Sequence, residues 1–173
     1  RDGRFVVDGA KMFITNAGTE ISACVTITAR TGPDEISNLI VPNGTPGYEI
    51  SAPLHKLGWK ASDTRALTFE GCEIPEGNLL GPRGQGLAQF LEILDGGRIS
   101  VAAMGVGLAQ GAYDLAFAYA QEREQFGKPI SRFQAVQFRL ADMATEIEAG
   151  RALVLKAAWL KDRGRPFARE AAM

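Results

Sequence analysis

Histidine and cysteine are scarce in this 173-residue chain, which has one histidine, His55, and two cysteines, Cys24 and Cys72, far apart in sequence. A structural zinc site needs several such ligands at close spacing and a disulfide framework needs paired thiols, so no metal site and no disulfide are expected. Reduced thiols suit a cytoplasmic setting. Charge of one sign is lacking too. The 19 Lys and Arg against 20 Asp and Glu leave a formal net charge of −1. That balance provides no field to recruit nucleic acid or an anionic membrane. No signal peptide is evident, and Asp95, Arg98, Asp114, Glu122, Arg139, Asp142, Glu146 and Lys156 interrupt the long apolar patterns. No membrane span is therefore expected. His55 has no serine, cysteine or acid at motif spacing, and reads as a surface or loop histidine.

What is present divides in two. From Arg1 to about Glu76 apolar residues alternate in short β-branched and aromatic runs: Phe5–Val7, Met12–Ile14, Ala23–Ile27, Leu39–Val41, Tyr48–Ile50 and Ala66–Phe69. Turn signals separate them, among them Asp8-Gly9, Asn16-Ala17-Gly18, Thr31-Gly32-Pro33-Asp34 and Pro42-Asn43-Gly44. Short strands at this spacing predict antiparallel sheet in a barrel or sandwich, and Asp8-Gly9 predicts a two-residue hairpin. Beyond Gly81-Pro82-Arg83-Gly84-Gln85-Gly86 the period becomes helical. Leu87, Leu94, Val101, Leu108 and Leu115 recur every seven residues, with Leu91 and Tyr119 between; Val136, Leu140, Met143, Ile147 and Val154 form a second stripe. Two antiparallel arms of a helical bundle are expected, joined by the short hairpin Arg123–Ile130. The second arm should start near Ser131 as cap and end at Arg163-Gly164, with Pro166 in the first turn of a third helix. The fold class is thus α+β: a β-domain over residues 1–78, then a helical-bundle domain over residues 79–173. Both ends look abrupt, as in part of a larger protein.

Several stretches invite a chemical reading. Gly105-Val106-Gly107-Leu108-Ala109-Gln110-Gly111 looks like a dinucleotide fingerprint, but its spacing is off by one and it lies inside a helical pattern; small residues allowing close helix approach explain it better. Asp95-Gly96-Gly97-Arg98 puts two glycines inside a helix, at about 1 kcal/mol each against alanine, which predicts a kink or a ligand against bare backbone. The hairpin Arg123–Ile130 combines basic side chains with an aromatic ring, a composition suited to an anionic group beside a flat ring system.

These segments together resemble the acyl-CoA dehydrogenase family. Lys11-Met12-Phe13-Ile14-Thr15-Asn16 is similar to the family's lysine-x-tryptophan-isoleucine-threonine-asparagine strand. Leu57-Gly58-Trp59-Lys60-Ala61-Ser62-Asp63-Thr64-Arg65 resembles its glycine-x-x-x-serine-aspartate-threonine segment, and Phe69–Pro75 the strand that follows. Glu122-Arg123-Glu124-Gln125-Phe126-Gly127-Lys128-Pro129-Ile130, followed by Phe133-Gln134, is the most specific match.

The resemblance implies FAD as cofactor and an acyl-CoA thioester as substrate, with a proton removed alpha to the thioester and a hydride from the beta carbon. Phe13, Ile14 and Thr15 fall on the strand that meets the flavin, Thr15 as a donor near its reactive nitrogen and Phe13 packed on the ring. Arg123 falls where the family reaches the FAD pyrophosphate of a neighbouring subunit, with Gln125, Phe126 and Gln134 around the same cofactor; a planar guanidinium suits phosphate oxygens. Asp95 and Arg98 fall on the acyl-CoA channel. The resemblance also implies a homotetramer and an electron-transferring flavoprotein as acceptor. The isovaleryl-type branch has its base one residue before the arginine matching Arg98, where this chain has Gly97. No catalytic base is assigned, and residues 1–173 by themselves are expected to be inactive. An acyl-CoA oxidase or flavin monooxygenase on the same scaffold is the alternative enzyme reading, and a non-catalytic helical scaffold the alternative of another class.

Overall fold

The computed structural model describes residues 3–173. Tertiary contacts divide the chain into a unit ending at Phe90 and a unit running from Leu91 to Met173.

The first unit is built from antiparallel strands: β1 (Arg4–Thr15), β2 (Cys24–Gly32), β3 (Glu35–Pro42), β4 (Tyr48–Ile50), β5 (Thr64–Pro75) and β6 (Leu79–Leu80). They form two three-stranded sheets, ordered β1-β5-β4 and β2-β3-β6. Of the two architectures the sequence left open, the closed barrel is not formed. Alternation decides what is inside: Ile27, Leu39, Val41, Leu67, Phe69 and Ile74 are buried in one core, and burial of such chains contributes roughly 1.5–3 kcal/mol each. Tyr48 stacks on Phe69 with ring centroids 5.0 Å apart.

One turn signal is misread in the sequence. Asp8-Gly9 does not reverse the chain. Val7 pairs with Cys72 and Gly9 with Phe69, so β1 continues past a bulge, where Asp8 Oδ1 accepts the Gly71 N–H at 2.6 Å. Asp-Gly between two alternating runs fits a hairpin or a bulge equally well. The length of β5, which pairs with both halves of β1, makes the choice.

Helix α1 (Gly86–Glu122) starts against β3. Asn38 Nδ2 donates to the Gly86 carbonyl at 3.1 Å and to Gln89 Oε1 at 2.9 Å, and the Gly84 N–H donates to Ser37 Oγ at 2.9 Å. A Cβ at Gly86 would lie 2.6 Å from the Ser37 backbone, so only glycine allows this approach.

In the second unit α1 is followed by a hairpin of β7 (Glu124–Gln125) and β8 (Lys128–Pro129), then α2 (Gln134–Asp162) and α3 (Ala168–Ala172). The two long helices run antiparallel: Gly96 lies beside Lys161 and Gly150 beside Val106, while Arg151 Nη2 donates to Gln110 Oε1 at 2.6 Å. The expected α2 stripe is correct at Leu140 and Ile147, which are buried, and at Val136 and Val154, which are half-buried, while Met143 is exposed. The expected α1 stripe is not. Its more buried positions are Ile99, Val106, Tyr113 and Ala120, also seven apart. Val101, Leu108 and Leu115 remain 63%, 63% and 76% exposed. The two stripes are offset by two residues, about 200° around a helix. Period alone marks both as apolar and does not say which meets α2.

Three local expectations also change. Ser131 lies in a 3₁₀ turn (Ile130–Arg132), and α2 starts at Gln134 after Phe133 with no side-chain cap. Pro166 precedes α3, which begins only at Ala168. Cβ atoms built at Gly105, Gly107 and Gly111 meet nothing within 4 Å; the close approach in this chain is at Gly150 instead, 3.3 Å from Val106. The C-terminal signal of α2 holds: Gly164 has φ 62°, with Gly164 N–H bonded to Lys161 O and Arg165 N–H to Leu160 O, a Schellman motif. Finally, α1 is long and apolar enough, by length and composition, to cross a membrane, with a mean hydropathy of 1.2 over 18 residues. This overturns the expectation that no run reaches that length; core helices of soluble proteins pass the same test.

Candidate functional site

The expected cofactor residues fall into two groups, one in each unit. The first is the end of β1. Lys11 pairs with Leu67 and Ile14 with Arg65, so Met12 and Phe13 together oppose Ala66 in a bulge. Phe13 takes φ 62° there and Asn16 takes φ 61° just beyond. Left-handed backbone at a non-glycine residue costs on the order of 1–3 kcal/mol and persists only where the surroundings impose it. The bulge leaves the Phe13 ring 71% exposed while Ile14 packs on the sheet core. Thr15, paired with Thr64, is exposed, and among the described residues its hydroxyl has no protein partner.

The surroundings that impose this shape are in the segment leading into β5. The Asp63 carbonyl accepts the Asn16 N–H at 3.0 Å, and Asp63 Oδ2 accepts the Gly18 N–H at 3.0 Å. Arg65 Nε donates to Asp63 Oδ1 at 2.6 Å and Arg65 Nη1 to the Ser51 carbonyl at 2.8 Å. Lys56 Nζ donates to the Trp59 carbonyl at 2.7 Å and to Thr64 Oγ1 at 2.9 Å. Desolvation pushes the Asp63 carboxyl up, but the Gly18 N–H, the Arg65 guanidinium and the Lys56 charge together outweigh it and hold the group below the usual carboxylate range. The roles of Lys56, Asp63 and Arg65 were not expected from the sequence. The available signal was an acid and a base two residues apart, Asp63 just before β5 and Arg65 at its second position, ahead of the apolar Leu67 and Phe69.

The second group sits on the β7–β8 hairpin and the start of α2. Phe126 and Gly127 occupy the two-residue turn with φ 54° and 75°, the geometry that asparagine-glycine usually supplies. Here a phenylalanine is held in it, 91% exposed, its ring edge-on to Phe133 with centroids 6.2 Å apart. Lys128 Nζ lies 4.4 Å above the Phe133 ring. Arg123 is exposed, and among the described residues its guanidinium has no protein partner. The Arg123 carbonyl accepts the Ile130 N–H at 2.8 Å and so closes the hairpin. Gln125 Nε2 donates to the Glu124 carbonyl at 2.8 Å, and Gln134, the first residue of α2, is exposed.

The expected substrate residues are neighbours on α1. Arg98 Nη1 and Asp95 Oδ1 form an ion pair at 2.5 Å. Asp95 lines an open cavity of about 1110 Å³ with Glu92, Gly96, Gly97, Lys161 and Phe167, which Arg98 does not line. Helix α1 runs unbroken through Gly96-Gly97. A Cβ at Gly96 would sit 2.9 Å from Lys161 Nζ, whereas Gly97 is open. The backbone at Gly97 is bare on a cavity wall whose carboxylates come from Glu92 and Asp95. Cys24 is exposed and Cys72 buried, both as free thiols.

A family model described as acyl-CoA dehydrogenase, middle domain, matches residues 1–72, and one described as acyl-CoA dehydrogenase, C-terminal domain, matches residues 84–173. The chain is 53% identical over 171 residues to the "Probable acyl-CoA dehydrogenase YngJ" of Bacillus subtilis (strain 168), covering 97% of this chain and 45% of that protein. Among solved structures it is similar to butyryl-CoA dehydrogenase from Megasphaera elsdenii, at 40% identity and a TM-score of 0.92 over 99% of this chain and 45% of that one. It is also similar to a chain in a structure concerning the electron transferring flavoprotein of Acidaminococcus fermentans and flavin-based electron bifurcation, at 45% identity and a TM-score of 0.92, covering 100% of this chain and 46% of that one. The chain spans less than half the length of these relatives.

Proposed function

The chain belongs to the acyl-CoA dehydrogenase family, and on that premise we propose that it is part of an FAD-dependent enzyme that desaturates an acyl-CoA thioester between its alpha and beta carbons. The observation that carries the reading is the pair of exposed aromatic residues, Phe13 and Phe126, held on left-handed backbone. Each lies beside an unpartnered donor, the Thr15 hydroxyl and the Arg123 guanidinium. Strain of this kind is retained where a ligand meets the protein, and an aromatic ring with a neutral donor and a cationic donor fit a flat ring system and a pyrophosphate.

Bound FAD would supply a two-electron oxidation at the beta carbon. The chain's own residues bind and orient. Phe13 packs on the ring system, with Ile14 anchoring its strand to the core. Thr15 would donate a hydrogen bond to that ring system. Arg123 would reach the pyrophosphate of the FAD held mostly by a neighbouring subunit, with Gln125, Phe126 and Gln134 around that same cofactor. Asp95 and Arg98 hold each other at the acyl-CoA channel. Gly97 brings no base, so residues 1–173 alone remain inactive. The enzyme works as a homotetramer in the cytoplasm and delivers electrons to an electron-transferring flavoprotein. The neighbour from the flavoprotein study supports that acceptor, and the balanced charge and free thiols are compatible with that setting.

The test is an anaerobic titration of the FAD-loaded full-length protein with acyl-CoA esters of several chain lengths. Bleaching of the flavin is expected, followed by slow reoxidation in oxygen and fast reoxidation by an electron-transferring flavoprotein. Fast reaction with oxygen would favour an acyl-CoA oxidase. A colourless protein at saturating FAD would favour a non-catalytic scaffold.

A further inference from the structure

We propose that Asp63 and Arg65 are positioning residues: they hold the Phe13–Asn16 corner in its left-handed shape and thereby aim the Thr15 hydroxyl at the bound flavin. The inference rests on the flavin reading above and goes beyond it to side chains that do not themselves face the cofactor.

Asp63 binds at the corner and just beyond it, while Arg65 binds Asp63 and the Ser51 carbonyl. Asp63 makes its two bonds there through its carbonyl to Asn16 N–H and through Oδ2 to Gly18 N–H. Its other carboxylate oxygen takes Arg65. The guanidinium lies flat on Gly18, where a Cβ would come within 2.4 Å of both Cζ and Nε, and its far side ties to the Ser51 carbonyl just after β4. The corner is thus stitched to β5 and to the exit of β4, beside the Ile14–Arg65 and Thr15–Thr64 ladder pairs.

The pair is also mostly buried, with side-chain exposures of 18% for Arg65 and 14% for Asp63. A buried ion pair is often no more stabilising than apolar residues of the same volume, because desolvation offsets the attraction. Stability alone therefore gives little reason for two charges here. Geometry gives one: a planar fork and a carboxylate can fix the Gly18 N–H and the Ser51 carbonyl at set distances while bonded to each other, which no aliphatic pair can do. Without them the left-handed residues Phe13 and Asn16 would relax toward ordinary strand geometry, and the Phe13 ring and Thr15 hydroxyl would turn with them.

Three variants of the full-length protein test this: Arg65→Met, which removes the fork; Arg65→Lys, which keeps the charge but not the fork; and Gly18→Ala, which displaces the guanidinium without removing a charge. Amide hydrogen exchange is measured in the flavin-free state, and the FAD dissociation constant and the absorption band of bound flavin in the loaded state. The expected result is exchange at Asn16 and Gly18 at least tenfold faster in all three, with β2 and β3 amides unchanged. The FAD dissociation constant should rise about tenfold and the bound-flavin band should shift. Unchanged exchange at the corner in a folded variant would overturn the proposal, as would faster exchange with unaltered FAD affinity and spectrum. Failure of all three variants to fold would overturn it in favour of a purely structural pair. A wild-type protein that binds no FAD is a different result, which removes the flavin reading itself and leaves the exchange data to show whether the pair holds the corner.

Discussion

In the β unit Leu39, Leu67 and Ile74 lose all exposure to solvent, whereas on α1 Leu108 and Leu115 keep 63% and 76% of theirs. The same kind of side chain is core in one unit and surface in the other. Two sheets cover each other's inner faces, so each alternating strand finds its partner within 90 residues of chain. A pair of antiparallel helices can bury only the one stripe each turns toward the other. α1 carries two stripes, and the second, through Leu94, Val101, Leu108 and Leu115, has no partner among the described residues of its unit. The core of the β unit is therefore closed within that unit, while the second stripe of α1 stays exposed.

The largest effect expected from that contrast is on stability. Leu67→Ala should destabilise the chain by about 2–5 kcal/mol, because it leaves a cavity in a closed core. Leu108→Ala should change stability by less than about 0.5 kcal/mol, because the side chain already meets water. Chemical denaturation of the two variants compares them directly, and equal losses would break the distinction between the units.

The contrast sharpens at the cofactor groups, since both units contribute exposed donors that their own folds do not use. Arg123→Ala should weaken FAD binding by roughly 1.5–3 kcal/mol, the worth of a hydrogen bond to a charged group; equilibrium dialysis of the full-length protein measures it. Unchanged retention would remove the hairpin from the cofactor site. A smaller change is expected at the β1 corner. Thr15→Val should slow flavin reduction about tenfold, equivalent to roughly 1.4 kcal/mol, with little movement of Tm, because the hydroxyl bonds nothing in the fold. Stopped-flow reduction and thermal melting of the same variant separate the two readings, and parallel losses would make Thr15 structural.

The smallest effect is pH-dependent. Asp63 has a folded-state value below its ordinary one, so its contribution is fully present above the ordinary carboxylate range and is lost as pH falls through the lowered value. Stability should be flat through neutral pH on this account and decline only in acid. Asp63→Asn should flatten that acid limb in a denaturation series. A wild-type decline already complete at mildly acidic pH would point to a different group.

Much of this was legible in the residues. The change of period near residues 75–85, the alternation that marks the strands, most of the α2 stripe and the glycine that ends α2 are all patterns recorded within a few positions of each other. Other features were decided by partners distant in sequence. Asp8-Gly9 became a bulge because β5 is long enough to pair on both sides of it. The cap expected at Ser131 is a nearer case, displaced by a 3₁₀ turn leading directly out of the β7–β8 hairpin. The strain at Phe13 and Phe126 was invisible, because phenylalanine has no intrinsic preference for the left-handed region and takes it only where surrounding bonds impose it.

The sequence by itself determined which residues are apolar, at what period they recur, and which side chains carry donors. Those are properties of each residue and its near neighbours along one backbone. Only the tertiary structure decided which of α1's two stripes meets α2, and that Asp63 and Arg65 grip the turn after Thr15. Both outcomes depend on groups dozens of residues apart arriving at the same place, and a local pattern records that a surface exists without recording what comes to lie against it.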